Sequence, residues 1–345
     1  MGDVSHMIEK SENVPGQALM SALESHKEAV ENRIISALSK SNNERLRAAM
    51  MHLIEGGGKR LRAILPWLVA DALGGSHDGL YDLGASIEII HNFTLVHDDI
   101  MDNDSIRRGR PAVHVEFDHP TAINAGDAML AVAFEVLADS NDFDAEHFRD
   151  LVSIIGSMVR MVSEGQQQDM SFENRDDVTQ DEYIQMISGK TAAMFTTCAR
   201  TGALLSGADS TTVDTLALWG EYVGLCFQLM DDLIDVTGDS KTLGKPACSD
   251  IIEGKQTLIA IHALQQDESK LTTFHEVFGS GIEDTDQIVL DQVISELHES
   301  GSISHARNLA MEYHRKAHEC LDSLPESAGL IVLRDITDFQ LIRIS

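Results

Sequence analysis

Basic residues are scarce in this chain. Among its 345 residues there are 26 Lys and Arg against 56 Asp and Glu, which gives a formal net charge of −30. A surface this acidic repels nucleic acids and anionic membranes, so we exclude both as partners. Repulsion among the carboxylates also destabilises the compact state at low ionic strength. We interpret the composition as a halophilic adaptation and expect the fold to be lost below roughly molar salt.

Cysteine and long apolar runs are also scarce. The four cysteines lie far apart and form no CxxC pair, so neither a zinc ribbon nor a disulfide framework is expected. The N-terminal sequence MGDVSHMIEKSENVPG is polar and acidic, unlike a secretory signal. Apolar stretches such as residues 63–70 and 128–134 are much shorter than the roughly 18 residues that span a bilayer. We therefore predict a soluble, cytoplasmic protein with no membrane insertion.

Aromatic residues, at 5%, and the 6 prolines are too few for a typical β-sandwich. Most segments instead repeat apolar residues at i, i+3, i+4 and i+7, which is the period of an amphipathic helix. This period predicts helices over residues 17–39, 83–102, 121–139, 147–168, 180–187 and 213–236. We predict an all-α, single-domain bundle of many long helices over residues 17–345, preceded by a flexible N-terminal arm, residues 1–16.

Two of the predicted helices carry the same acidic motif, DDxxD. The first copy is Asp98, Asp99 and Asp102, and the second is Asp231, Asp232 and Asp235. Helix positions i and i+4 share one face about 6 Å apart, so the outer carboxylates of each copy can converge on one point. Carboxylates within apolar segments need cationic partners, and oxygen-only ligands favour magnesium over zinc. Acidic surface decoration is the alternative, but the apolar flanks of both motifs argue against it.

The few basic residues are clustered. They gather in the run GGGKRLR (56–62), in RRGR (107–110), and at Lys190, Lys245 and Lys255. Arg provides a planar fork for phosphate oxygens and Lys a point charge, while glycines let the backbone approach an anion. Together with carboxylate-held magnesium, the separate clusters predict two polyphosphate groups above an apolar cavity. Pairing of these cations with surface acids is the alternative interpretation.

In combination, these motifs resemble those of the trans-isoprenyl diphosphate (polyprenyl) synthases. The resemblance runs from about Gly16 to Arg343 and includes GGGKRLR, LVHDDIMDNDSIRRGRPAVH, GQQQDM, GKT and QLMDDLID. It implies an all-α fold with a deep central cavity, usually built as a homodimer. It also implies a prenyltransferase that joins isopentenyl diphosphate to an allylic diphosphate with the help of a cluster of three Mg²⁺ ions.

The resemblance further implies a role for each motif residue. The metal ligands would be Asp98, Asp99, Asp102 and Asp231, with Asp232 and Asp235 in support and Gln166 and Asp169 beside them. The allylic diphosphate would contact Arg107, Lys190 and Lys245, and the allylic cation would face Lys190, Thr191 and Gln228. Isopentenyl diphosphate would contact Lys59, Arg62, His91 and Arg108, with Lys255 near the lid of that pocket. Catalysis would then be electrostatic stabilisation of the departing diphosphate.

The length of the product depends on the floor of the cavity. The growing prenyl tail is expected to run toward the N-terminal side of the helix that carries Asp98, where Thr94 and Phe93 lie roughly 6–7.5 Å below the metals. One bulky residue beside a small one resembles the archaeal-type short-chain enzymes, so we predict geranylgeranyl diphosphate (C20). The alternatives are a farnesyl or mixed C15/C20 synthase and a non-catalytic partner subunit of a heteromeric synthase. Such subunits typically lose motif aspartates, and this chain retains all of them.

Overall fold

The structure is a computed structural model that describes residues 16–172, 175–238, 247–282 and 285–342. Helices dominate the described chain, which confirms the predicted all-α class. The α-helices are α1 (Gln17–Leu38), α2 (Glu44–Glu55), α3 (Leu61–Ala72), α4 (Leu80–Met101), α5 (Val113–Glu116), α6 (His119–Asp139), α7 (Ala145–Phe172), α8 (Gln180–Ile187), α9 (Ala193–Leu205), α10 (Ser210–Thr237), α11 (Ser249–Glu253), α12 (Leu258–Leu264), α13 (Thr272–Val277), α14 (Gln287–Glu299), α15 (Ser302–Asp322) and α16 (Ala328–Ile342). The predicted arm, residues 1–16, lies outside the described residues apart from Gly16, and the assignment of 17–345 to one domain stays a prediction.

The predicted helices are present with shifted ends. α10 begins at Ser210, three residues before the predicted start, because the Asp209 side chain caps it by accepting the Thr212 N–H at 3.0 Å. α4 ends at Met101, and Asp102 follows as its C-cap, with its N–H donated to the Asp98 carbonyl at 2.8 Å. The last aspartate of the first motif therefore sits at the end of its helix, where the chain begins to turn.

A short ribbon follows α4 and was not predicted. Strand β1 (Ile106–Arg107) pairs antiparallel with strand β2 (Arg110–Pro111). The two residues between them, Arg108 and Gly109, have φ of 54° and 73°, as a tight hairpin turn requires. Strands of two residues are too short to produce alternation in a sequence, so periodicity could not reveal them. The ribbon brings Arg107 back beside α4 and places Arg108 beside the end of α2 and the glycine run.

Helices α4 and α10 form the centre of the molecule. α4 packs against α3 and α6, and α10 packs against α9 and α15. The α3–α4 contact is so close that a Cβ on Gly84 would lie 2.0 Å from the carbonyl oxygen of Ala63. The N-terminal half of α10 belongs to one apolar core, shared with α1, α3, α4, α6, α7 and α9. Its C-terminal half belongs to a second core, shared with α8 and α11–α15.

Within the described ranges, α6 is the one helix long and apolar enough to cross a membrane. Its most apolar 18-residue window has a mean hydropathy of 1.4, and 39% of that window is buried inside the protein. Ala122, Ala125 and Met129 are buried on the face that packs against α4. Because the core helices of soluble proteins have the same length and hydropathy, this feature alone does not indicate a membrane span.

Candidate active site

The C-terminal halves of α4 and α10 line one cavity of about 660 Å³. Both acidic motifs reach it, through Asp98 and Asp102 from α4 and through Asp231, Asp232 and Asp235 from α10. Apolar side chains from α7, α8, α9 and α10 complete its lining, namely Val162, Met186, Ile187, Met194, Phe227 and Ile234. The fold therefore brings the two motifs to one space that is both acidic and apolar, as the sequence predicted.

In the first motif, Asp98 and Asp102 face the cavity. Burial raises the pKa of Asp98 to about 6, the nearby Asp102 carboxylate adds to the rise, and Lys190 and Arg107 oppose it. Asp102 accepts a hydrogen bond from the buried Gln166 side chain at 3.3 Å. Gln166 thus lies beside the first motif. A cation that binds next to such a carboxyl group lowers its pKa and so favours the charged form.

The middle aspartate of the first motif has a different environment. Asp99 is 0% exposed and accepts a hydrogen bond from Arg107 Nε at 2.6 Å. Arg107 also reaches Asp104 at 3.1 Å, so the ribbon is tied to the end of α4 by two carboxylates. The other oxygen of Asp99, Oδ2, has no hydrogen-bond partner within the described ranges. Asp99 therefore holds Arg107 at the cavity, and its predicted role as a metal ligand stays a prediction.

The second motif is less uniform than its sequence suggests. Asp231 is exposed at the cavity, whereas Asp232 and Asp235 are buried. Asp232 accepts hydrogen bonds from the Tyr183 hydroxyl and from Gln228 Nε2, the latter at 2.9 Å, and burial raises its pKa to about 8. Asp235 accepts the Asp250 N–H at 3.0 Å and so holds the start of α11.

A π-helical turn, Ser188–Ala192, supplies the residues between α8 and α9. Turns of this type are frequent at functional sites because the extra residue redirects neighbouring side chains. Here Lys190 reaches Asp169 at 2.5 Å, and Thr191 donates to Gln228 Oε1 at 2.8 Å. A Cβ on Gly165 would lie 2.3 Å from the backbone nitrogen of Lys190, so glycine is required where α7 meets the turn. Lys190, Thr191 and Gln228 all line the cavity, and their roles toward the allylic substrate stay predictions.

The glycine run is held in shape by Arg60. This residue has φ 56° and is 3% exposed. Its guanidinium donates to the carbonyls of Ile54 and Gly57 at 2.6 and 3.0 Å and contacts Glu88 at 3.2 Å. The glycine loop also accepts a hydrogen bond from Arg108 at 2.8 Å, through the Gly57 carbonyl. Arg60 therefore fixes the loop from behind, and the ribbon arginine completes it.

Arg62, His91 and Arg108 form the basic side of the cavity. The guanidinium of Arg62 lies 4.7 Å from the centre of the Phe195 ring, and burial lowers the pKa of Arg62. Burial and the neighbouring arginines hold the pKa of His91 well below its usual range. A neutral imidazole can donate a hydrogen bond to an anion without adding a positive charge that would repel the neighbouring arginines.

Lys59 and Lys255 were both assigned to the second diphosphate, and the structure gives each of them other contacts. Lys59 does not line the cavity, and its ammonium lies 4.5 Å from the centre of the Phe339 ring of α16. Lys255 lines the cavity but contacts Glu253 at 3.1 Å and Asp250 at 3.7 Å, and these acids raise its pKa. Lys245 lies outside the described residues. The assignment of Lys59 and Lys255 to the second diphosphate therefore has no direct geometric support in this structure.

The two residues predicted to set product length differ in position. Thr94 lines the cavity, and its hydroxyl donates to the His91 carbonyl at 2.8 Å. Phe93 is buried in the apolar core beside it and does not line the cavity. Its ring lies 5.0 Å from the ring of His97, edge to face. Thr94 is thus a wall residue of the cavity, whereas Phe93, its neighbour in the chain, lies in the apolar core behind it.

Sequence reasoning gave no role to Tyr183 or to Glu88. Tyr183 donates to Asp232 from α8, and burial raises the pKa of its hydroxyl well above its usual range. Glu88 is 2% exposed and contacts Arg60 from α4. An isolated buried tyrosine carries no motif. A glutamate within the apolar α4 is the one signal that could have indicated a buried cationic partner.

The comparisons with known proteins agree with one another. The polyprenyl synthetase family model matches residues 43–297. A geranylgeranyl diphosphate synthase from Saccharolobus solfataricus is 43% identical over 292 residues, covering 84% of this chain and 86% of the relative. A geranylfarnesyl diphosphate synthase from Natronomonas pharaonis is 37% identical over 335 residues, covering 92% and 96%. The crystal structure of geranylgeranyl pyrophosphate synthetase from Pyrococcus horikoshii superposes with a TM-score of 0.87 at 35% identity, covering 94% of this chain and 98% of that one.

Proposed function

The chain belongs to the polyprenyl synthetase family, and we propose that within this family it makes geranylgeranyl diphosphate (C20) as its main product. It is a prenyltransferase, a short-chain prenyl diphosphate synthase of the trans-isoprenyl type, with the isoprenoid synthase fold. The family uses isopentenyl and allylic diphosphates as substrates. One observation supports the assignment most directly. Both acidic motifs and the cations Arg62, Arg107, Arg108 and Lys190 line the same part-apolar cavity.

Magnesium is the metal that this family uses. The side chains of the acidic motifs suit it, because they offer carboxylate oxygens, and because a bound cation would offset the burial that raises the pKa of Asp98. We propose that Asp98, Asp102 and Asp231 hold three ions per active site, with Asp232 and Asp235 in support. Bound Mg²⁺ supplies positive charge to the diphosphate that leaves the allylic substrate.

The chain's own cations are proposed to orient the two diphosphates. Lys190 and Arg107 lie on the side of Asp98 and would bind the allylic diphosphate, so that their charge is already in place when the leaving group departs. Arg62, Arg108 and the neutral His91 would bind isopentenyl diphosphate. The hydrogen-bonded pair of Thr191 and Gln228 presents oxygen atoms to the cavity beside the apolar lining, where an allylic cation would form.

The product assay tests this function directly. Purified protein is incubated in high salt with Mg²⁺, isopentenyl diphosphate and a C5, C10 or C15 primer, and the product alcohols are separated by chromatography. We expect C20 from each accepted primer. A main product of C15 would favour the farnesyl or mixed alternative, and C25 would favour the specificity named for the Natronomonas pharaonis relative. No product at all would favour the non-catalytic subunit.

Two substitutions test the product-length assignment. Replacing Thr94 with Phe places an aromatic ring on the cavity wall, so products are expected to shorten toward C15. Replacing Phe93 with Ala removes the support beside that wall, so products are expected to lengthen. Val96→Ala, which truncates another buried side chain of α4, is the control for a general loosening of the helix. An unchanged product from both Phe93→Ala and Thr94→Phe would refute this assignment.

The assembly and the compartment are proposals as well. We propose a cytoplasmic homodimer that joins through the outer face of α6, an apolar helix on which the side chain of Ile123 is 45% exposed. Ile123→Glu is expected to convert dimers to monomers, as measured by light scattering coupled to gel filtration. We also propose that the fold requires high salt because of the net charge of −30. Loss of far-ultraviolet ellipticity on dialysis into low salt tests that proposal, and retention of the signal would contradict it.

A further inference from the structure

A cluster of three metal-ligand side chains lies outside the cavity, between α15 and α16. His314 and His318 are one turn apart on α15, and Asp338 reaches them from α16. His314 Nε2 and His318 Nε2 lie 2.9 and 2.8 Å from the same oxygen, Oδ1 of Asp338. The ligand atoms of all three residues lie within 4.8 Å of one another. Two helices that carry neither acidic motif thus present three ligands to one point.

We propose that this cluster binds a divalent transition-metal ion of the Zn²⁺ and Co²⁺ class. Two imidazole nitrogens and one carboxylate oxygen are ligands that these ions prefer, whereas Mg²⁺ prefers oxygen alone. With metal–ligand distances of about 2.0–2.1 Å and tetrahedral angles, ligand atoms lie about 3.3–3.4 Å apart. The two nitrogen–oxygen distances are 2.9 and 2.8 Å, so an ion that replaces these hydrogen bonds needs each pair of atoms to separate by only about 0.5 Å. The histidines need no helix rearrangement, because positions i and i+4 already share one face.

The surroundings admit a cation. The side chains of His314, His318 and Asp338 are 16%, 24% and 46% exposed, so an ion can enter from solvent and water can complete its shell. The basic residues that neighbour the cluster in the chain are paired with acids: on α15, Arg315 contacts Glu319 and Lys316 contacts Glu312. On α16, one turn before Asp338, Arg334 is directed to Asp322 at 2.6 Å and Glu326 at 3.2 Å. Its charge is therefore compensated by those two carboxylates. The net charge of the whole chain further favours cation binding.

A metal ion here would connect the C-terminal helix to the centre of the fold. α16 caps α1, because Asp335 accepts the Ala18 N–H at 3.1 Å. It also contacts α10, because Trp219 donates to Thr337 at 3.0 Å. α15 packs along α10, the helix of the second acidic motif. An ion that binds both α15 and α16 only in the folded state stabilises that state, and the stabilisation grows with the logarithm of one plus the ratio of the ion concentration to its dissociation constant.

The test is a Co²⁺ titration of the full-length protein in excess Mg²⁺, which occupies the oxygen-only sites. We expect one equivalent of Co²⁺ to produce a visible absorption band that Zn²⁺ abolishes, and Zn²⁺ to raise the Tm. His314→Gln and His318→Gln should each weaken Co²⁺ binding by more than about tenfold and remove the Zn²⁺ effect on Tm. His298→Gln changes an exposed histidine of α14 and should leave binding unchanged.

Equal Co²⁺ affinity in the native protein and in both cluster variants would overturn the proposal, as would the absence of a visible band in the native protein. Prenyl transfer by the variants, which depends on the cavity at another place in the fold, shows whether they are folded. If one histidine variant does not fold, the other histidine variant and Asp338→Asn provide the same comparison.

Discussion

The two sides of the cavity carry opposite charges and show opposite pKa shifts. The acidic side is Asp98, Asp102, Asp231, Asp232 and Asp235, and the basic side is Arg62, His91 and Arg108. The pKa of Asp98 is raised to about 6 and that of Asp232 to about 8. The pKa of His91 is well below its usual range, and the pKa values of Arg62 and Arg108 are also lowered. Groups on both sides are therefore shifted toward their neutral forms.

Burial is the largest cause on both sides, and like charges add to it. Like-charged groups that share a buried space raise the free energy of the ligand-free protein. Ligands of the opposite charge relieve that cost, so the acidic side suits cations and the basic side suits anions. The two sides also differ in the opposite charges that the protein places beside them. Lys190 and Arg107 lie beside the acidic side. On the basic side, the acids Glu31 and Glu88 contact Arg60, which lies behind the glycine loop.

The largest effect is expected from the acidic side. Asp98→Asn removes a carboxylate that is proposed to hold metal, and kcat should fall by on the order of 10³-fold, since positioned charge at the leaving group is lost. Steady-state kinetics at saturating substrate measures this. Asp214→Asn, which changes an exposed surface carboxylate on α10, is the control. Retained helical ellipticity would separate the metal role from a folding role, and a kcat near that of the control would contradict the assignment.

The sequence was sufficient for the parts of the site that depend on helix periodicity. The spacing of Asp98 and Asp102, and of Asp231 and Asp235, indicated shared helix faces, and the apolar flanks indicated burial. The same periodicity predicted the all-α class. These features are local, so a motif and its neighbours in the chain contain the information that determines them.

Other parts of the site depend on contacts between distant segments. Asp98 and Asp99 are adjacent in one motif, but Arg107 contacts Asp99 because an unpredicted ribbon returns it to the end of α4. Asp232 differs from Asp231 because Tyr183 of α8 lies against it. Lys59 belongs to a basic run, yet its side chain packs on Phe339 of the C-terminal helix. No local pattern encodes such contacts, so the sequence alone could not distinguish these residues from their neighbours.

The basic side is expected to contribute to binding more than to turnover. Arg62→Gln keeps a polar side chain beside the Phe195 ring but removes the charge. KM for isopentenyl diphosphate should rise about tenfold to hundredfold, since one charged contact is lost, while kcat changes much less. Initial rates with the allylic primer held at saturation measure both constants. A loss confined to kcat would place Arg62 with the leaving-group residues and would break the distinction between the two sides.

A pH series tests the pKa shift of His91 on the basic side. The folded state keeps His91 neutral below its ordinary pKa of 6.5, whereas the unfolded chain takes up a proton there. The contribution of His91 to the free energy of unfolding is therefore complete above about pH 6.5 and declines as pH falls below it. Denaturant unfolding in high salt measures this dependence. His91→Gln should lose less stability on acidification than the native protein, and identical slopes would contradict the shift.

The smallest effect is expected from Asp235, which supports the acidic side through structure. Asp235→Ala leaves the Asp250 N–H and the Ser249 hydroxyl without their acceptor at the start of α11. The free energy of unfolding should fall by about 1–2 kcal/mol, which is typical for a lost helix cap. Denaturant unfolding measures this, and Asp214→Ala at an exposed ion pair should change it by less than about 0.5 kcal/mol. A loss of kcat as large as that of Asp98→Asn, with no loss of stability, would instead place Asp235 among the metal ligands and make the two motifs equivalent.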